Sequence, residues 1–261
     1  MNSIAGSISG APSRPGIGRD EKFFLITAIV MTVVLVAGFS VQLGTGRSTF
    51  ASPARVHIHA FVFFGWVVLY LTQNVLAARG SLALHRRLGW LATLWLPLLI
   101  FSGTWMTVAG LQTGKWPPFF QPAYFLVMNV LSIWCFAGLA VAAIVRRRET
   151  QWHRRLMLCA MAAIMGPGFG RLLPMPFIVP WAGFATFACG LLFVIAGIVR
   201  DLRKDGRVHP AWWWGLGVLV GTDLIVETLP HTALGVSLYE AVVSGHPLAP
   251  PALEFGPLPP R

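Results

Sequence analysis

Seven apolar runs, each about as long as a lipid bilayer is thick, constrain this chain more than any other feature. They lie at roughly Lys22–Leu43, Val56–Ala78, Leu88–Gly110, Pro122–Val145, Leu156–Leu172, Phe177–Val199 and Ala211–Pro230. A helix needs about 20 apolar residues to cross a bilayer. In hydrocarbon each backbone N–H and C=O must find its partner within the chain, so runs of this length are expected to be helical. No segment shows the alternation, over about ten residues, of a lipid-facing barrel strand. The expected fold class is all-α: a polytopic membrane helix bundle of about seven transmembrane helices.

Charge content agrees. Only 11% of the 261 residues are charged, against about 25% in a soluble domain. That is too few to coat a globule of this size, so the lipid bilayer is the expected solvent. The net charge of +11 would suit nucleic acid if it formed a patch. It is confined instead to the segments between apolar runs, and a nucleic-acid partner is excluded on that ground.

The distribution of Lys and Arg sets the expected orientation. With the N-terminus in the cytoplasm, 15 of the 20 Lys and Arg residues fall inside, in the N-terminal segment and the second, fourth and sixth loops. Arg47, Arg55, Lys115, Arg171 and Arg261 remain outside. An inner-membrane protein with its N-terminus cytoplasmic and its C-terminus extracytoplasmic is therefore expected. Residues 1–21 are Ser/Gly/Pro-rich at their start and read as a flexible cytoplasmic tail without the pattern of a cleavable signal. Residues 22–231 form the transmembrane domain, and residues 232–261 a Pro-rich extracytoplasmic tail. Cys135, Cys159 and Cys189 all lie within apolar runs and imply no disulfide framework.

His-Arg-Arg-Leu occurs twice, at His85–Leu88 and His153–Leu156. Aligning the two copies brings Trp66 onto Trp134 and Arg79 onto Arg147, and Arg203 precedes His209 by the same interval as Arg79 precedes His85. One leading helix followed by three repeated hairpins is the plan this suggests, as in other repeat-built membrane bundles. Arg86, Arg87, Arg154 and Arg155 are read as topology residues that hold their loops at the cytoplasmic face. Each His lies near a helix N-terminus, where the dipole disfavours added positive charge and favours a neutral imidazole able to bind a metal or accept a hydrogen bond.

A second set of candidates lies toward the outer side. Asp223, Glu227 and His231 follow at intervals of four, drifting only about 40° per step, so they share one helical face. Acids within a bilayer are functional candidates by default. "MGPGFGR", Met165–Arg171, should interrupt the fifth helix, and Arg171 is a natural partner for Glu227 or Asp223. His57 and His59 open the second helix about 200° apart, so at most one faces inward. An outward pocket would use His57, His59, Glu227 and His231 as metal ligands, with Asp223, Glu227 and Arg171 as catalytic candidates. Gln73 and Asn74 read as hydrogen-bonding glue between helices.

The stretches "HIHAFVFFGWVVLYLTQNVLAARGSLALHRRLGW", "WHRRLMLCAMAA" and "VHPAWWWG" together resemble an uncharacterised family of bacterial multipass inner-membrane proteins of about seven helices. The likeness covers residues 55–215 and implies a topology but no reaction. Three functional classes stay open. The first is a haem- or metal-binding membrane redox protein using interfacial histidines, with His57, His59, His231, His85 and His153 as candidate ligands of haem b or a divalent metal. The second is a proton-coupled carrier using Asp223, Glu227 and Arg171. The third is a non-catalytic partner or accessory subunit, alone or as an oligomer.

Overall fold

The computed structural model describes residues 18–257. Residues 1–17, most of the expected N-terminal tail, lie outside the described residues, as do 258–261. The described chain forms nine α-helices and no strand. These are α1 (Arg19–Gly44), α2 (Ala54–Ala78), α3 (Leu82–Gln112), α4 (Pro122–Val145), α5 (Thr150–Ala163), α6 (Gly166–Leu172), α7 (Ala182–Asp205), α8 (Pro210–Thr228) and α9 (Ala233–Val243). Short 3-10 turns, Met175–Phe177 and Leu229–His231, precede α7 and α9.

Helices α1, α2, α3, α4 and α7 are each long and apolar enough to cross a membrane. Their outward faces carry side chains such as Val33, Phe61, Leu94, Phe101 and Leu192, which are well exposed in the isolated chain. Large apolar groups spread so widely over a surface imply contact with a lipid bilayer. The α3 helix, 31 residues long, would span about 46 Å at 1.5 Å per residue, more than the hydrocarbon core. A helix of that length projects its ends beyond the hydrocarbon core or tilts within it.

The local sequence explains where helices start and stop. Proline opens α4 and α8 at the first helical position, where its missing N–H costs nothing. Gly206, at φ 65°, ends α7 in the left-handed conformation, which a residue without Cβ adopts freely. The fifth apolar run is broken as its glycines and proline predict. It becomes α5 and α6, with Ile164 and Met165 between them. The break leaves α6 free to turn against its neighbours. It packs between α1 and α7, and a Cβ on Gly38 would press within 2.5 Å of the Gly168 carbonyl oxygen. The sixth run starts as a helix at Ala182 rather than Phe177, because Pro180 disfavours helical backbone in the residue before it.

At the centre stands α5, packed on α4, α7 and α8, with α1 touching it at one end. From Leu158 to Met161 its residues are fully buried. Cys135 and Cys159 are buried and Cys189 half-buried, and all three are free thiols. The C-terminal segment departs from the expected extended tail. Residues Ala233–Val243 form α9, and the chain beyond docks on the opposite end of the bundle from the start of α1. Tyr239 donates to the Pro250 carbonyl at 2.5 Å, the Ala123 amide to the Ala252 carbonyl at 2.9 Å, and the Gly256 amide to the Pro118 carbonyl at 2.9 Å.

Candidate functional site

The two His-Arg-Arg-Leu copies meet in space. His85 is the fourth residue of α3 and His153 the fourth of α5, and each amide donates at 3.0 Å to the residue preceding its helix, Ser81 and Glu149. Their imidazole centres lie 6.2 Å apart with ring planes at 89°. Nδ1 of His85 is 3.2 Å from the Gln73 carbonyl oxygen, and Nδ1 of His153 is 2.8 Å from the Ala143 carbonyl oxygen. A carbonyl only accepts, so each Nδ1 carries the proton and donates. In the neutral form of such a ring the lone pair is on Nε2, and neither Nε2 has a protein partner among the described residues. Two imidazoles locked by Nδ1 and free at Nε2 form the arrangement used by metal-ligating histidines.

Both rings line a cavity of about 1660 Å³ at the end of the bundle where α1 begins and where the α2–α3 and α4–α5 turns lie. Trp66, Leu69 and Tyr70, all buried, wall its deep part. Gln73 also lines it, and the Gln73 side-chain oxygen is buried with no hydrogen-bond partner. The reading of Gln73 as interhelical glue is therefore not what is found, although Asn74 does bond at 2.9 Å to the Tyr70 carbonyl of its own helix. Arg79, Arg86, Arg147 and Arg148 stand at the mouth.

Beside the cavity lies an ion-pair web that the sequence reading missed. Asp201 of α7 is 1% exposed and accepts from Arg155 Nε at 2.9 Å and Nη2 at 2.8 Å, and from the Trp212 indole at 2.9 Å. Arg200 reaches the same carboxylate at 3.2 Å. Asp20, at the start of α1, is held by Arg154, Arg200 and Lys204. Arg155, buried, and Arg154, half-buried, are thus ion-pair members tying α1, α5, α7 and α8 together, not simply headgroup-facing charges. Arg86 and Arg87 are exposed, as a topology role requires. The two motif copies diverge because acids face only the second.

The outer candidates do not assemble into one pocket. Helix α2 lies between α1 and α3, α6 between α1 and α7, and α8 against α4, α5 and α7. His57, in the first turn of α2, is exposed and bonds back to the preceding loop, to the Phe50 and Ser52 carbonyls. His59 turns inward to Ser102, Nδ1 lying 3.3 Å from the hydroxyl oxygen. Arg171 does not pair with Glu227 or Asp223. Its guanidinium sits 3.9 Å above the Phe39 ring, and Nη1 donates to the Pro167 carbonyl at 2.7 Å. The partner of Glu227 is the Tyr124 hydroxyl at 2.6 Å, which fits because Gly183 leaves room for that ring. His231 bonds Gln121 at 3.0 Å. Asp223 is half-buried on the same face of α8, without an ion-pair partner among the described residues.

The motif echo at His209 also differs. His209 caps α8, its Nδ1 accepting from the Ala211 amide at 3.1 Å, and it packs on Trp152 rather than joining His85 and His153. Trp66 is 2% exposed whereas Trp134, its counterpart in the aligned repeat, is 56% exposed. Among the described residues no group of three or more His, Cys, Asp or Glu side chains is placed to hold a metal ion. Compared with protein-family models, with curated proteins and with solved structures, the chain finds no match.

Proposed function

We propose that this chain is a seven-span inner-membrane protein that holds a haem between His85 and His153 near its cytoplasmic face, as a one-electron redox group. The observation that carries this is the pair of Nδ1-anchored imidazoles facing one cavity. Two metal–nitrogen bonds of about 2.0–2.1 Å, with roughly 1.2 Å from nitrogen to ring centre, put opposed imidazole centres about 6.4 Å apart and tetrahedrally placed ones about 5.2 Å apart. The separation of 6.2 Å is one at which both rings would hold a single metal between them. With two such side chains at the cavity among the described residues, a tetrapyrrole suits better than a bare divalent ion, because the macrocycle brings the other four nitrogens itself. Small-molecule sites are usually about 300–1,000 Å³, so the cavity has room.

The topology reading has its own support. The start of α1 and the Arg-rich turns share one end of the bundle, and the C-terminal segment docks at the other. With α5 and α6 as a broken fifth span and α8 as the seventh, the termini fall on opposite sides. The positive-inside bias then makes the cavity end cytoplasmic.

The test is the absorption spectrum of protein purified in mild detergent, or titrated with haem if isolated colourless. A Soret band of six-coordinate, low-spin type is expected. His85→Ala or His153→Ala should remove the low-spin signature, whereas His57→Ala and His231→Ala should leave it intact. Wild-type protein that remains without a Soret band after haem titration would overturn the proposal.

A further inference from the structure

We infer that the arginines at the cavity mouth hold carboxylates of the bound ligand, so that the site selects a tetrapyrrole whose acidic edge faces the cytoplasmic loops. This rests on the haem reading above. Along its depth the cavity changes character, from buried Trp66, Leu69 and Tyr70, through the two histidines, to Arg79, Arg86, Arg147 and Arg148. A macrocycle with an apolar body and two carboxylates on one edge has the same gradient.

The accounting of charge at this end supports the assignment. Asp20 is taken by Arg154, Arg200 and Lys204, Asp201 by Arg155 and Arg200, Glu149 by Arg146, and Asp205 lies within reach of Lys204. Among the described residues Glu21 is the one acid lining the cavity, and it faces Arg154 at 3.8 Å. None of the four mouth arginines has an acidic partner among the described residues. A planar guanidinium matches a carboxylate with two parallel hydrogen bonds. Gln73 supplies an independent sign of a ligand: its amide lines the cavity with a buried oxygen left unpartnered. The two ends of an amide exchange by a flip, so the same group offers N–H to a carboxylate.

The experiment compares haem b with its dimethyl ester, which keeps the iron and macrocycle but has no carboxylate. Affinities are read from Soret titrations of wild-type protein and of an Arg86→Gln/Arg147→Gln variant. Wild-type protein should bind haem b at least about tenfold more tightly than the ester. The variant should bind both compounds with similar affinity and an unchanged low-spin spectrum, since its histidines are intact. Equal wild-type affinity for the two compounds would overturn the carboxylate assignment and leave the haem reading standing. The arginines would then serve the anionic membrane surface alone. A Soret band with neither compound would overturn both. The wild-type comparison decides the matter even if the variant is poorly folded.

Discussion

Asp201→Ala is the substitution from which the structure predicts most. The pair it breaks is nearly sealed, with side-chain exposures of 3% for Arg155 and 1% for Asp201. Alanine leaves the guanidinium buried without its counter-charge, for which the expected cost is about 3–5 kcal/mol. It also strips the Trp212 indole, itself fully buried, of its acceptor, a loss of about 1–3 kcal/mol. The two losses overlap, so about 4–6 kcal/mol is expected in total. At about 2–4 °C per kcal/mol for a chain of this size class, the unfolding midpoint should drop by about 8–24 °C. The assay is thermal unfolding in mild detergent followed by tryptophan fluorescence. Scan rates must be equal, since unfolding of such proteins is commonly irreversible. A matched Arg155→Met/Asp201→Leu variant should lose less than Asp201→Ala, because apolar replacement of both partners strands no charge. A midpoint within about 2 °C of wild type for Asp201→Ala would refute the reasoning.

Three further outcomes can be checked. His209 accepts a hydrogen bond as the cap of α8, and burial, followed by the charge of Arg155, holds its pKa below the ordinary 6.5. The unfolded chain therefore binds more protons just below pH 6.5, so this contribution to stability is present above that pH and is lost as pH falls below it. His209→Asn keeps a cap without the titration, and its midpoint should vary less between pH 7 and pH 5 than wild type; an equal slope would reject the role. Tyr124→Phe should cost about 1.5–3 kcal/mol through the lost bond to Glu227, and Gly183→Ala about 1–3 kcal/mol by crowding the Tyr124 ring. Combined, the two should cost less than their sum, and additive midpoints would show that Gly183 does not make room for Tyr124. Gly38→Val should separate α6 from α1 and raise protease sensitivity around the Leu173–Trp181 segment, whereas the same change at Gly44, which faces open space, should not.

Much of the architecture was legible because it is local. The apolar run Val56–Ala78 ends where α2 ends, and Pro122–Val145 coincides with α4. Pro167 and its flanking glycines marked the break between α5 and α6. The two His-Arg-Arg-Leu copies announced equivalent positions, each histidine falling on the fourth residue of a helix. Their meeting was not legible, because spacing along the chain does not say how two helices are rotated about their axes. Asp201 escaped notice for a related reason. At the end of an apolar run followed by Arg203 and Lys204, it looks like one more solvated loop charge. The face shared by Asp223, Glu227 and His231 exists, but its partners come from α4 and its flanking loop, Tyr124 and Gln121, rather than from α6 or α2.

The amino-acid sequence by itself determined that the chain is helical, that its long apolar helices belong in lipid, and roughly where each begins and ends. Backbone hydrogen bonding in hydrocarbon and the length of an apolar run are properties of one segment at a time. Only the tertiary structure decided which polar groups meet. It brought His85 to His153, gave Arg155 to Asp201, and set Arg171 above Phe39 rather than beside Glu227 or Asp223. Those outcomes depend on helix neighbours and rotations, which follow from packing summed over the whole bundle.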